Sequence, residues 1–85
     1  MKKQGANEIT TTGVVVPVNW DEHGIVTAVA ISTHDEEMIY IEPRGKGTAL
    51  FNLVRAEIEV TGKVRMKAGA KRMTVTDYQL KKTWD

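Results

Sequence analysis

The sequence predicts an all-β fold, a five-stranded barrel with one short helix between strands 3 and 4, and three observations lead there. Apolar side chains and Gly62 occupy the even positions from Glu57 to Met66 while Glu57, Glu59, Thr61, Lys63 and Arg65 take the odd ones. That period of two marks a half-buried strand, with Ile58, Val60, Val64 and Met66 assigned to the core and Lys63 and Arg65 to the outside. Turn-forming residues recur between short apolar runs at Asn19–Gly24, Thr33–Glu37, Pro43–Gly47 and Lys67–Ala70. They leave room for five strands and very little helix. Finally, 85 residues allow one domain with one core, and closing a sheet on itself is an efficient way to bury that core.

Taken in order, residues 1–7 are polar and are expected as a flexible lead-in. Glu8–Val18 is rich in Thr and Val and is expected as a long first strand, coiled or bulged at Gly13. Asp21 and Gly24 supply hairpin chemistry, and Ile25–Ser32 follows as strand 2. Strand 2 is apolar on both faces, so both need a cover. Met38–Glu42 is strand 3, ended by Pro43 and the Gly45-Lys46-Gly47 run. Thr48 is expected to cap a helix over Ala49–Val54, with Leu50, Leu53 and Val54 on one face. Glu57–Met66 is strand 4 and Lys71–Leu80 strand 5. In the last strand the inward set changes from Met73 and Val75 to Tyr78 and Leu80, which demands a one-residue slip near Thr76 and Asp77. Lys81–Asp85, with Trp84, is assigned to a tail, so the domain spans residues 8–80.

This order resembles the OB fold, a five-stranded Greek-key barrel whose helix sits between strands 3 and 4. The residues that carry the resemblance are Thr12-Gly-Val-Val-Val-Pro-Val, the stretch Thr48–Val54, and Ile58-Glu-Val-Thr-Gly-Lys-Val. In flavour the chain is similar to small single-domain bacterial OB-fold proteins. That resemblance implies a binding module that contacts its ligand with strands 2 and 3 and with the loops joining strands 1 to 2 and 4 to 5.

Charge is distributed unevenly along the chain. Up to Glu42 there are two basic and seven acidic residues, a net −5; from Pro43 there are ten basic and four acidic, a net +6. Such asymmetry suits a polyanion, or the pairing of one copy with another. Lys63, Arg65, Lys67, Lys71 and Arg72 gather around the final hairpin and are the candidate phosphate contacts. Lysines on a hairpin also serve simply to keep an edge solvated. Trp20 and Tyr40 are the candidate stacking residues, although Trp20 neighbours Asp21 and Glu22, whose charges repel phosphate, and packing at the barrel rim is the favoured role for its indole. The expected partner is therefore single-stranded nucleic acid or another anionic oligomer. The alternative is a protein partner or a second copy, docked on the apolar outer side of strand 2 around Ala28 and Ala30.

Other chemistries find little in the sequence. There is no cysteine, hence no disulfide or thiolate site, a composition that fits a reducing cytoplasm. No apolar run is long enough for a membrane span, and none follows Lys2 and Lys3 as a signal peptide requires. Arg44-Gly45-Lys46-Gly47-Thr48 has the Gly content of a phosphate loop but not its spacing, since Ile41 and Gly47 stand where a P-loop needs Gly and Ser or Thr. His23 and His34 lie in separate loops without zinc spacing, and Ser32, the sole serine, has His34 two residues away but no orienting carboxylate. No cofactor, metal or enzymatic activity is expected.

Overall fold

A computed structural model describes residues 8–83; residues 1–7, Trp84 and Asp85 lie outside the described residues. The strands are β1 (Glu8–Trp20), β2 (Val26–Thr33), β3 (Met38–Ile41), β4 (Glu57–Lys67) and β5 (Ala70–Lys82). They close into a barrel in the order β1-β2-β3-β5-β4. Only β3 and β5 run parallel; the other four interfaces are antiparallel. The result is an OB-like barrel with a single short helix, of 3-10 type, at Gly45–Asn52 between β3 and β4.

β1 serves two neighbours because it is long. Its first half pairs with β4, from Glu8 opposite Lys63 to Val14 opposite Glu57, and its second half pairs with β2 from Gly13 onward. Gly13 and Gly62 make the same contribution at two corners. A Cβ on Gly13 would run into the Ser32 carbonyl oxygen, and one on Gly62 into that of Thr74. Each glycine lets a neighbouring backbone approach closer than any side chain would allow. The recurring Thr-Gly pair in β1 and β4 thus marks two close strand crossings.

The even positions of β4 point inward as the alternation requires. Ile58 and Val60 are fully buried beside Val15, Ile31, Ile39 and Met73. The slip in β5 also occurs: Thr61 faces Asp77 while Gly62 faces Val75, leaving Thr76 as the extra residue of a bulge. At the two ends of the hairpin the alternation overstates burial. Met66 is 63% exposed, opposite Lys71 at the rim, and Leu80 is 48% exposed at the far end of β5. Parity decides which way a side chain points; it does not provide a neighbour to cover it.

The helix begins four residues earlier than a cap at Thr48 implies. Arg44 occupies the N-cap position without a side-chain cap bond, and the Thr48 hydroxyl instead donates to the Gly45 carbonyl at 2.8 Å. Leu50 is fully buried and carries the helix into the barrel, with Phe51, Leu53 and Val54 packed around the same core. β5 runs two residues past Leu80, so Lys81 and Lys82 belong to a strand rather than a tail.

Ala30 settles how strand 2 is covered. It lies between Val16 of β1 and Tyr40 of β3 in the ladders and is wholly inaccessible within this one chain. The outer side of β2 is therefore covered at that point by the chain's own neighbours.

Candidate functional site

Between the bulge and the turn, the last hairpin brings Lys63, Arg65 and Lys67 of β4 opposite Thr74, Arg72 and Ala70 of β5, odd-numbered residues against even-numbered ones on one outer face. Ala68 and Gly69 both have positive φ, 53° and 82°, as a two-residue hairpin turn demands, and this fixes the register of everything behind them. Lys63 then stands opposite Thr74, and Arg65 opposite Arg72. Because β5 also pairs with β3, Arg72 is flanked on its other side by Tyr40.

The five predicted cations do not act as one group. Lys71 lies on the opposite parity from Arg72, and its Nζ donates to both Glu37 carboxylate oxygens at 3.0 and 3.1 Å. Arg72 is committed to Glu42, with Nε donating to Oε2 at 2.8 Å and Nη2 to Oε1 at 3.5 Å. Lys67 stands at the hairpin turn, opposite Ala70. Lys63 and Arg65 remain together, and they line an open groove of about 310 Å³ with Val64, Thr74 and Arg44.

Arg44 is the residue that sequence reasoning did not assign to the site. It follows β3, and its extended backbone (φ −153°, ψ 159°) carries it across to β4 before the helix starts. The Arg44-Gly45-Lys46-Gly47 run lacks the spacing of a P-loop, yet its first residue lines the cationic groove. Lys46 turns away to Asp77, 3.4 Å distant.

Tyr40 lies in a second hollow of about 360 Å³, with Met38, Met66, Gly69 and the Glu37–Lys71 pair. In register, Arg72 stands between Tyr40 and Arg65, so an extended ligand lying across the strands would meet ring, guanidinium and groove in turn. Trp20 is not part of this face. It is 53% exposed at the β1–β2 hairpin, where Asp21 organises the turn by accepting from the His23 and Ile25 backbone N–H groups.

Glu42 is the second residue that the sequence did not single out, and it is the one charged side chain among the buried described residues, 7% exposed. Besides Arg72 it has Arg65 Nη2 at 4.0 Å. The hydrogen bond from Arg72 holds its carboxyl below the ordinary value of 4.5; burial opposes this, and the charges of Arg72, Arg44 and Arg65 reinforce it. A folded-state pKa lowered in this way contributes stability that is present above about pH 4.5 and is lost as pH falls through the lower folded value. Thermal unfolding across the acid range should therefore show the wild type losing its advantage over Glu42→Gln as pH drops below that value. Parallel curves for the two proteins would contradict the linkage.

Among the described residues no group of three or more His, Asp or Glu side chains is placed to hold a metal ion, and no helix is long and apolar enough to cross a membrane. Fold and groove together define an OB-like barrel with a cationic outer face. In comparisons with known proteins the chain matches no family model, no curated protein and no solved structure.

Proposed function

We propose that this barrel is a binding module for single-stranded nucleic acid or a similar anionic oligomer, held across the outer face of β4 and β5. One observation carries the reading: Arg44, Lys63 and Arg65, from two segments distant in sequence, line one open groove, and neither Arg44 nor Lys63 makes an ion pair among the described residues. Cations left without carboxylate partners in a concave site attract a phosphate backbone and release counterions when it binds. Thr74 adds a hydroxyl to the groove, and Tyr40 offers a half-buried ring one strand beyond Arg72. The OB-like form of the barrel and a cysteine-free composition suit such a role in a bacterial cytoplasm. The self-association reading has less to stand on, since Ala30 is covered within the monomer.

Fluorescence anisotropy of a labelled mixed-sequence single-stranded oligonucleotide tests this directly. Binding at low salt is expected, with three phosphate contacts giving a slope of roughly −2 in log K against log salt. Reversing Lys63 and Arg65 to Glu should abolish it, whereas Lys71→Glu, which removes a cation already paired with Glu37, should weaken it far less. No anisotropy change at low salt with micromolar protein would end the proposal.

A further inference from the structure

The position of Glu42 has a consequence for how that groove binds. Arg65 and Arg72 face each other directly across the β4–β5 ladder. Like charges so placed repel. Glu42 Oε2 lies 2.8 Å from Arg72 Nε and 4.0 Å from Arg65 Nη2, so a single carboxylate relieves both. Arg44 follows two residues later, its backbone N–H donating to the Glu42 carbonyl at 2.8 Å. Glu42, buried on the outer face beside Arg72 and Arg65, thus occupies a place beside the cations that a ligand phosphate would approach from solvent. Arg65 is shared: it lines the open groove and also touches Glu42.

We infer that Glu42 is a built-in competitor for the anionic ligand, an internal carboxylate that holds Arg72 and Arg65 in place and sets how tightly the groove takes a phosphodiester backbone. This rests on the reading of the groove as an anion site. Two roles combine in one side chain. Hydrogen bonding to Arg72 fixes the cations in a defined array, and the negative charge subtracts from the field that the ligand meets. A groove tuned in this way binds weakly and reversibly. The carboxylate makes Glu42 an affinity-determining residue although it need never touch the ligand.

Glu42→Gln separates the two roles, because the amide oxygen still accepts from Arg72 while the charge is gone. For a labelled oligothymidylate of roughly 16 nucleotides, affinity should rise about three- to tenfold at low salt, with a steeper salt dependence. Unchanged or weaker binding by a folded Glu42→Gln protein is what a purely structural ion pair would give, and it would overturn the inference. Should Glu42→Gln fail to fold, the same comparison is made between Arg72→Gln and the double variant Glu42→Gln/Arg72→Gln, where the neutral amides can bond to each other. The double variant should bind more tightly than Arg72→Gln alone; equal or weaker binding counts against the inference. If no protein binds the oligonucleotide, the proposed function fails, and inorganic phosphate followed by NMR at the Arg65 Nε–H decides the inference on its own. A larger phosphate-induced shift in Glu42→Gln than in wild type supports it, and equal shifts overturn it.

Discussion

Gly62→Val is expected to cost this protein about 3 kcal/mol or more, a large part of the roughly 4–13 kcal/mol available to a domain of this size. Strand propensity alone predicts the reverse, because Gly in a strand interior is unfavourable and Val is among the best strand formers. Geometry outweighs propensity here. A Cβ at position 62 would meet the Thr74 carbonyl oxygen, and would also lie 2.6 Å from Met73 Cγ and 2.9 Å from its Sδ. Met73 is a flexible side chain and could yield, although it is fully buried. The Thr74 carbonyl is backbone, placed in the β4–β5 ladder opposite Lys63 next to the bulge at Thr76, and it can move only if the ladder moves. Gly62→Ala should show a smaller loss of the same sign, and Val should exceed it because two further methyls enter the same space. Urea unfolding followed by circular dichroism measures both. A Val variant with the wild-type midpoint would mean that the strands do not approach at Gly62 as described.

The same comparison shows why the fold was more legible than the site. Strand direction, the inward set of β4 and the slip at Thr76 are properties of a local period of two, and short stretches of sequence contain them. Gly13 and Gly62 could be read as bends for the same reason. Pairing partners are different, because they depend on which strands become neighbours. Taken along the chain, the acidic first half and basic second half suggest an outside partner. Instead Glu37 meets Lys71 and Glu42 meets Arg72, across the one parallel interface of the barrel and its approaches. Much of the asymmetry is consumed within the chain; of the groove's cations Lys63 and Arg44 make no ion pair among the described residues, and Arg65 lies 4.0 Å from Glu42. The signal for Glu42 was present but faint: a lone carboxylate directly after the apolar run Met38-Ile-Tyr-Ile, placed by parity on the outer face with Tyr40. Nothing local could say that three arginines would surround it.

Leu50→Ala is expected to destabilise by about 2–5 kcal/mol, because Leu50 is fully buried and its truncation leaves a void that close-packed neighbours fill only in part. For a domain of this length that corresponds to a fall in Tm on the order of 10–30 °C. The helix has few resources of its own to offset the loss. It is a 3-10 helix of eight residues, without a side-chain N-cap, an acidic residue in its first turn or a basic one in its last. Its place against the barrel therefore depends on the apolar side chains that it buries, Leu50 first among them. Leu80→Ala provides the contrast, since Leu80 is largely exposed and should cost under about 1 kcal/mol. Arg44 gives the prediction a functional side: it is the residue from which the helix starts, so a helix that loosens also loosens one wall of the cationic groove. At a temperature where Leu50→Ala is still folded, its affinity for the oligonucleotide should fall toward that of Arg44→Ala, while Leu80→Ala binds as wild type does. If Leu50→Ala lowered stability yet left affinity untouched, the groove would have to be held by β3 and β4 alone, with the helix sealing the core and taking no part in placing Arg44.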